Sequence, residues 1–136
     1  MQFYWPIRVY YEDTDAEGVV YYANYLKFFE RARTEWLRAC GVDLLAMQQR
    51  DALIFVVTSA QINYRRPARL NDELLIEVNV HSARAASITF EQRAVLAADR
   101  EELCTASISV ACVSHETFSP RRVPAWVREK ITCATN

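Results

Sequence analysis

Three carboxylates stand at alternate positions in the stretch YYEDTDAEGVVYYANYL, residues 10–26: Asp13, Asp15 and Glu17, with Gly18 directly behind them. One chemistry that uses such spacing is calcium binding. Counted from Asp13, the first, third, fifth and sixth positions suit an EF-hand loop, but the twelfth must be a bidentate glutamate and is Asn24. A strand, not a helix, also leads into this turn, which argues against calcium. The other chemistry is attack on a carbonyl. A helix start exposes unpaired N–H groups, and a carboxylate facing them would hold a carbonyl between a base or nucleophile and an oxyanion donor. A plainer role stays open on spacing alone, because acids ahead of a helix are favoured by its dipole and often only cap it.

No other cluster competes. Cys40, Cys104, Cys112 and Cys133 form no C-x-x-C pair, and His81 and His115 show no metal-ligand spacing, so no metal site and no cofactor is expected. Cys104 and Cys112 fall in one predicted strand, too far apart to bridge. Acidic residues outnumber basic ones 17 to 16, which gives no pull toward nucleic acid or a membrane surface. The first residues lack the features of a signal peptide, and no apolar run is long enough to span a bilayer. A cytoplasmic protein of one domain, residues 1–136, is expected.

The elements that must position the acids read simply. Phe3 to Tyr11 predicts a strand, with the acidic turn after it. Tyr22 to Cys40 predicts the one long helix, its stripe formed by Tyr22, Leu26, Phe29, Arg33, Trp36, Leu37 and Cys40, with Gly41 as the C-terminal cap. Leu53 to Tyr64, Glu73 to His81, Ser87 to Leu96 and Leu103 to Ser114 predict strands, joined by links too short for helical crossovers. A short helix near Ala125 to Ile131 follows Pro120 and Pro124. The fold class is therefore α+β, about five antiparallel strands curled around one long helix.

The stretch RVYYEDTDAEGVVYYANYLKFFERARTEWL resembles the opening of hotdog-fold acyl-CoA thioesterases of the 4-hydroxybenzoyl-CoA thioesterase class. Within that class it is most similar to the branch associated with the bacterial Tol–Pal cell-envelope system. The similarity continues through YRRPARLNDEL (Tyr64 to Leu74), SARAASITFEQR (Ser82 to Arg93) and the tail SPRRVP. The resemblance implies a hotdog fold and hydrolysis of acyl-CoA to free acid and CoA. It makes Asp15, second of the D-x-D pair, the catalytic carboxylate, and leaves Asp13 and Glu17 to shape the turn or face solvent. It places the oxyanion donor at the backbone N–H of Tyr22, where the Tol–Pal branch usually carries histidine. Gly18 would let the loop approach the thioester, and Arg69, Arg84 and Ser87 would serve the substrate, Arg84 and Ser87 through an R-x-x-S pattern near bound nucleotide. A missing histidine is tolerable because a thiol, with a pKa of about 8.5, leaves without a proton donor.

The resemblance also implies a homodimer with active sites at the subunit boundary, further association to a homotetramer, and a link to cell-envelope or lipid-metabolism proteins. Leu75, Val95 and Val113 are the apolar residues expected on wetted strand faces suited to such packing. The competing class is a non-catalytic hotdog module that binds acyl-CoA or acts as a scaffold. Such a module would have no need of Asp15.

Overall fold

Gly41, at φ 95°, ends the long helix by taking the left-handed conformation that only glycine adopts without strain. In the computed structural model, which describes residues 2–135, this helix α1 runs Tyr25–Ala39. It is preceded by a 3-10 turn over Tyr22–Asn24. Five strands surround it: β1 (Phe3–Arg8), β2 (Leu53–Tyr64), β3 (Glu73–Ala83), β4 (Ser87–Leu96) and β5 (Glu102–Ser114). They form one sheet in the order β1-β3-β4-β5-β2, and every neighbouring pair is antiparallel. Phe28, Phe29, Ala32 and Trp36 on α1 join Ile76, Phe90, Ile108 and Cys112 from the strands in one core. This is the hotdog arrangement, the sheet curled around the long helix.

The differences from the sequence reading have local causes. β1 stops at Arg8 rather than Tyr11, because the chain turns into a 3-10 segment at Tyr11–Asp13. The buried stripe of α1 is Tyr25, Phe28, Phe29, Ala32, Arg33, Trp36 and Leu37, which leaves Tyr22 and Leu26 exposed. A second helix, α2 (Leu44–Asp51), was not expected. Its signal is Asp43, whose carboxylate caps it by accepting from the Ala46 N–H at 3.0 Å. Its weak apolar periodicity gave no other sign. The last helix, α3 (Ala125–Thr135), runs one turn longer than expected.

Val95 and Val113 are not on wetted faces. Val95 follows a register shift in the β4–β5 ladder, and Val113 is bridged by Pro120 of the tail, so both are buried. On β2, by contrast, Val57 is 53% exposed. Residues 57–61 are exposed throughout, at the open edge of the sheet. From Leu53 to Tyr64 this edge carries no charge and no proline, the devices that usually protect one.

Candidate functional site

Asp13 is the acid that the fold locks in place. It is buried, and its two carboxylate oxygens accept from the Tyr10 N–H and the Asn24 amide, each at 2.8 Å. Its carbonyl accepts from the Tyr21 N–H at 2.9 Å. One residue thus joins the end of the β1 segment, the acidic turn and the start of the helix. Of the two roles open to Asp13, the structure gives shaping the turn, while Glu17 faces solvent. Asn24, the residue that spoils a calcium loop, is the partner that makes this clamp.

Asp13→Ala should leave the Tyr10 N–H and the buried Asn24 amide without this acceptor, at about 1–3 kcal/mol for the buried amide. Urea denaturation measures that loss. The exchange Asp13→Asn with Asn24→Asp restores both hydrogen bonds and should recover most of it. Asp13→Asn alone can still pair by turning the Asn24 amide over, and is expected to keep most of the activity.

Asp15 projects from the turn so formed, and it is exposed. Its Oδ1 accepts from the Glu17 N–H at 2.8 Å, which fixes the side chain. Among the described residues Oδ2 meets no donor. Asp15 N–H donates to the Val19 carbonyl and Gly18 N–H to the Asp15 carbonyl, closing a tight loop. Gly18 serves that loop through its backbone angle, φ 77°. A Cβ there would meet no atom of the described residues within 4 Å, so the space above it is open.

The helix start stands beside the turn. Tyr22 opens the 3-10 segment, and no acceptor among the described residues meets its N–H. The Tyr64 hydroxyl donates to the Tyr22 carbonyl at 2.9 Å, tying the end of β2 to this corner. The Tyr21 hydroxyl is held above its ordinary pKa, chiefly by the Tyr22 hydroxyl beside it and least by the negative charge of Asp15. Burial pushes the Tyr25 hydroxyl up to about 12, so it stays protonated where it accepts from the Ala68 N–H at 3.3 Å. Arg69 is placed here as well, because its backbone bridges to Val19. Its loop is held by the Val20 N–H donating to Ala68 and by Asp72 accepting from the Arg69 N–H.

The structure therefore brings together Asp15, Gly18, Tyr22 and Arg69, and not Arg84 and Ser87. Arg84 N–H donates to the Ser87 carbonyl in the β3–β4 turn. Ser87 pairs with Ala111, whereas Tyr64 pairs with Cys104. At 3.3 Å per residue the two ends of the sheet stand roughly 23 Å apart along β5. Arg65 and Arg66, which carried no assignment, pair with Glu102 and Glu101 at 2.7 and 2.6 Å. Sequence reasoning missed Asn24 as a site residue. Its signal was available, since a polar side chain at a helix start can reach back to the turn. It also missed Tyr64, which meets the helix start only in the tertiary fold, and Tyr25, whose partner Ala68 lies 43 residues away.

No helix among the described residues is long and apolar enough to cross a membrane.

Residues 9–131 match the thioesterase-like superfamily. The chain is 44% identical over 126 residues to the acyl-CoA thioesterase YbgC of Haemophilus influenzae, covering 93% of this chain and 91% of that protein. It is 44% identical over 122 residues to the acyl-CoA thioester hydrolase YbgC of Escherichia coli O157:H7, covering 90% of each. A probable thioesterase from Bartonella henselae superposes with a TM-score of 0.85 at 35% identity, covering 91% of this chain and all of that one. A Staphylococcus aureus protein solved in complex with CoA shares the fold, with a TM-score of 0.91 at 14% identity, covering 99% of this chain and 84% of that one. The hotdog architecture, the acidic turn and the extent of these matches agree: the chain belongs to the thioesterase-like superfamily.

Proposed function

We propose that the protein hydrolyses acyl-CoA thioesters to a free acid and CoA, with Asp15 as nucleophile or general base and the Tyr22 N–H as oxyanion donor. The observation that carries the reading is the pairing of a fixed carboxylate and a helix-start N–H, neither Oδ2 nor the N–H having a hydrogen-bond partner among the described residues. A thioester carbonyl between them is polarised from one side and attacked from the other. Either Oδ2 bonds to the carbonyl carbon to give a mixed anhydride that water then cleaves, or it takes a proton from water as the water oxygen makes that bond. In both routes the C–S bond breaks and CoA leaves as its thiolate. The full-length similarity to proteins named as acyl-CoA thioesterases supports the same reaction.

The active unit in this reading is a homodimer built on the β2 edge, and tetramers form from such dimers. Two copies related by a two-fold axis pair their β2 strands antiparallel. With the axis near Ser59, the centre of the exposed run, the Tyr64 end of one strand lies beside the Leu53–Val57 end of the other. Arg84 and Ser87 sit at that second end. Their distance from Asp15 within one chain is then no obstacle, because each serves the site of the other copy.

The test is thiol release measured across a panel of acyl-CoAs, with CoA binding followed in parallel. Release above the uncatalysed rate is the expected result. Binding without release would return the protein to the non-catalytic class.

A further inference from the structure

A cavity of about 330 Å³ lies between α1, α2 and the Leu53–Val57 end of β2. Leu37, Leu44, Phe55, Phe90 and Val110 give it mostly apolar walls. Arg33 interrupts them, lining the cavity although the residue is only 8% exposed. Its Nη1 donates to Gln92 Oε1 at 3.0 Å, and the Gln92 amide donates to the Phe29 carbonyl at 3.1 Å. Among the described residues no carboxylate forms an ion pair with this guanidinium. Glu30, one turn earlier, also borders the cavity, but it is exposed to solvent.

A largely buried cation whose hydrogen-bond partner is a neutral amide, with one exposed carboxylate a turn away, is a costly way to brace a helix. Burial lowers the proton affinity of Arg33, and Glu30 offsets that only in part. A guanidinium nonetheless keeps its charge, and its remaining N–H donors form a planar fork matched to a carboxylate. The missing counter-charge is therefore of a kind that a ligand can bring.

We propose that Arg33 receives a carboxylate at the far end of the acyl group, so that the preferred substrates are mono-thioesters of dicarboxylic acids. The proposal rests on the thioesterase reading and deepens it. In the two-fold pairing described above, the Leu53–Val57 end of β2, which borders the cavity, lies beside the Tyr64 end of the neighbouring copy, the end tied to the Asp15 corner. The thioester end then meets Asp15 of one chain, the methylenes cross the apolar walls, and the distal carboxylate reaches Arg33 of the other. A methyl-terminated chain would bury its end against the unanswered charge.

The experiment compares kcat/KM for acyl-CoAs of equal chain length ending in carboxylate, hydroxyl or methyl, using the full chain. The unsubstituted protein should favour the carboxylate-ended ester over the methyl-ended one by about tenfold to hundredfold, the scale of a charge-assisted hydrogen bond. Arg33→Met should remove most of that ratio, and Arg33→Lys should keep part of it. Where Arg33→Met does not fold, the ratio in the unsubstituted protein decides. Preference for the methyl- or hydroxyl-ended ester, or an unchanged ratio in folded Arg33→Met, overturns the proposal while leaving the thioesterase reading intact. Hydrolysis of none of the three overturns both.

Discussion

Asp15→Asn should lower the rate of thiol release by about 10²–10⁴-fold, the range expected when a general base is lost. The substitution keeps the shape of the side chain, and its amide oxygen can still accept from the Glu17 N–H as Oδ1 does now. What it removes is the charge and basicity of Oδ2, which meets no donor among the described residues. Acyl-CoA should still bind, because its affinity comes from contacts with the rest of the ligand. Thiol release and CoA binding measured on the same preparation separate chemistry from folding. Glu17→Gln is the control, since that side chain faces solvent. A folded Asp15→Asn protein with unchanged turnover would return the whole turn to a capping role, and turnover that depends on added calcium would reopen the metal reading.

The second large effect is expected at the β2 edge. Ser59→Lys, with Gln61→Lys added, places like charges across the proposed two-fold axis, an arrangement that destabilises neighbouring strands. Both positions are exposed in the single chain, so the monomer should fold normally. Light scattering should then report a monomer, circular dichroism an unchanged fold, and the thiol assay a loss of most activity. Mixing the Ser59→Lys chain with a Ser59→Glu chain should restore the dimer and the activity together. A monomer that keeps full turnover would show that one chain holds a complete site.

The sequence carried the strands well because each of β2 to β5 combines β-branched residues with turn-forming links, and local pattern was enough. α2 was illegible for the converse reason. Its eight residues have little periodicity, and only the Asp43 cap marks the start. In the site, Asp15 and Gly18 could be placed from the motif, since a tight turn is a local object. The division of labour between Asp13 and Glu17 could not, because it depends on Asn24 arriving eleven residues later. Arg33 looked like one more member of an apolar stripe. Its character is set by Gln92, 59 positions away, and such a pairing has no local trace. Val95 and Val113 were misplaced because a register shift and a bridging tail are products of the assembled sheet.

The uncharged β2 strand also bears on how the chain is made. Among the described residues its partner in the sheet is β5, whose first residue is translated about forty residues after Tyr64. At a synthesis rate of roughly 5–20 residues per second, β2 waits some seconds on the ribosome with both of its backbone edges unpaired. Its pairing with β5 then closes a long loop, whose entropy must be lost before any contact compensates it. The stretch best suited to join two finished subunits is thus also left for about forty residues of synthesis without a partner in the nascent chain, where neighbours on the same messenger present the same strand.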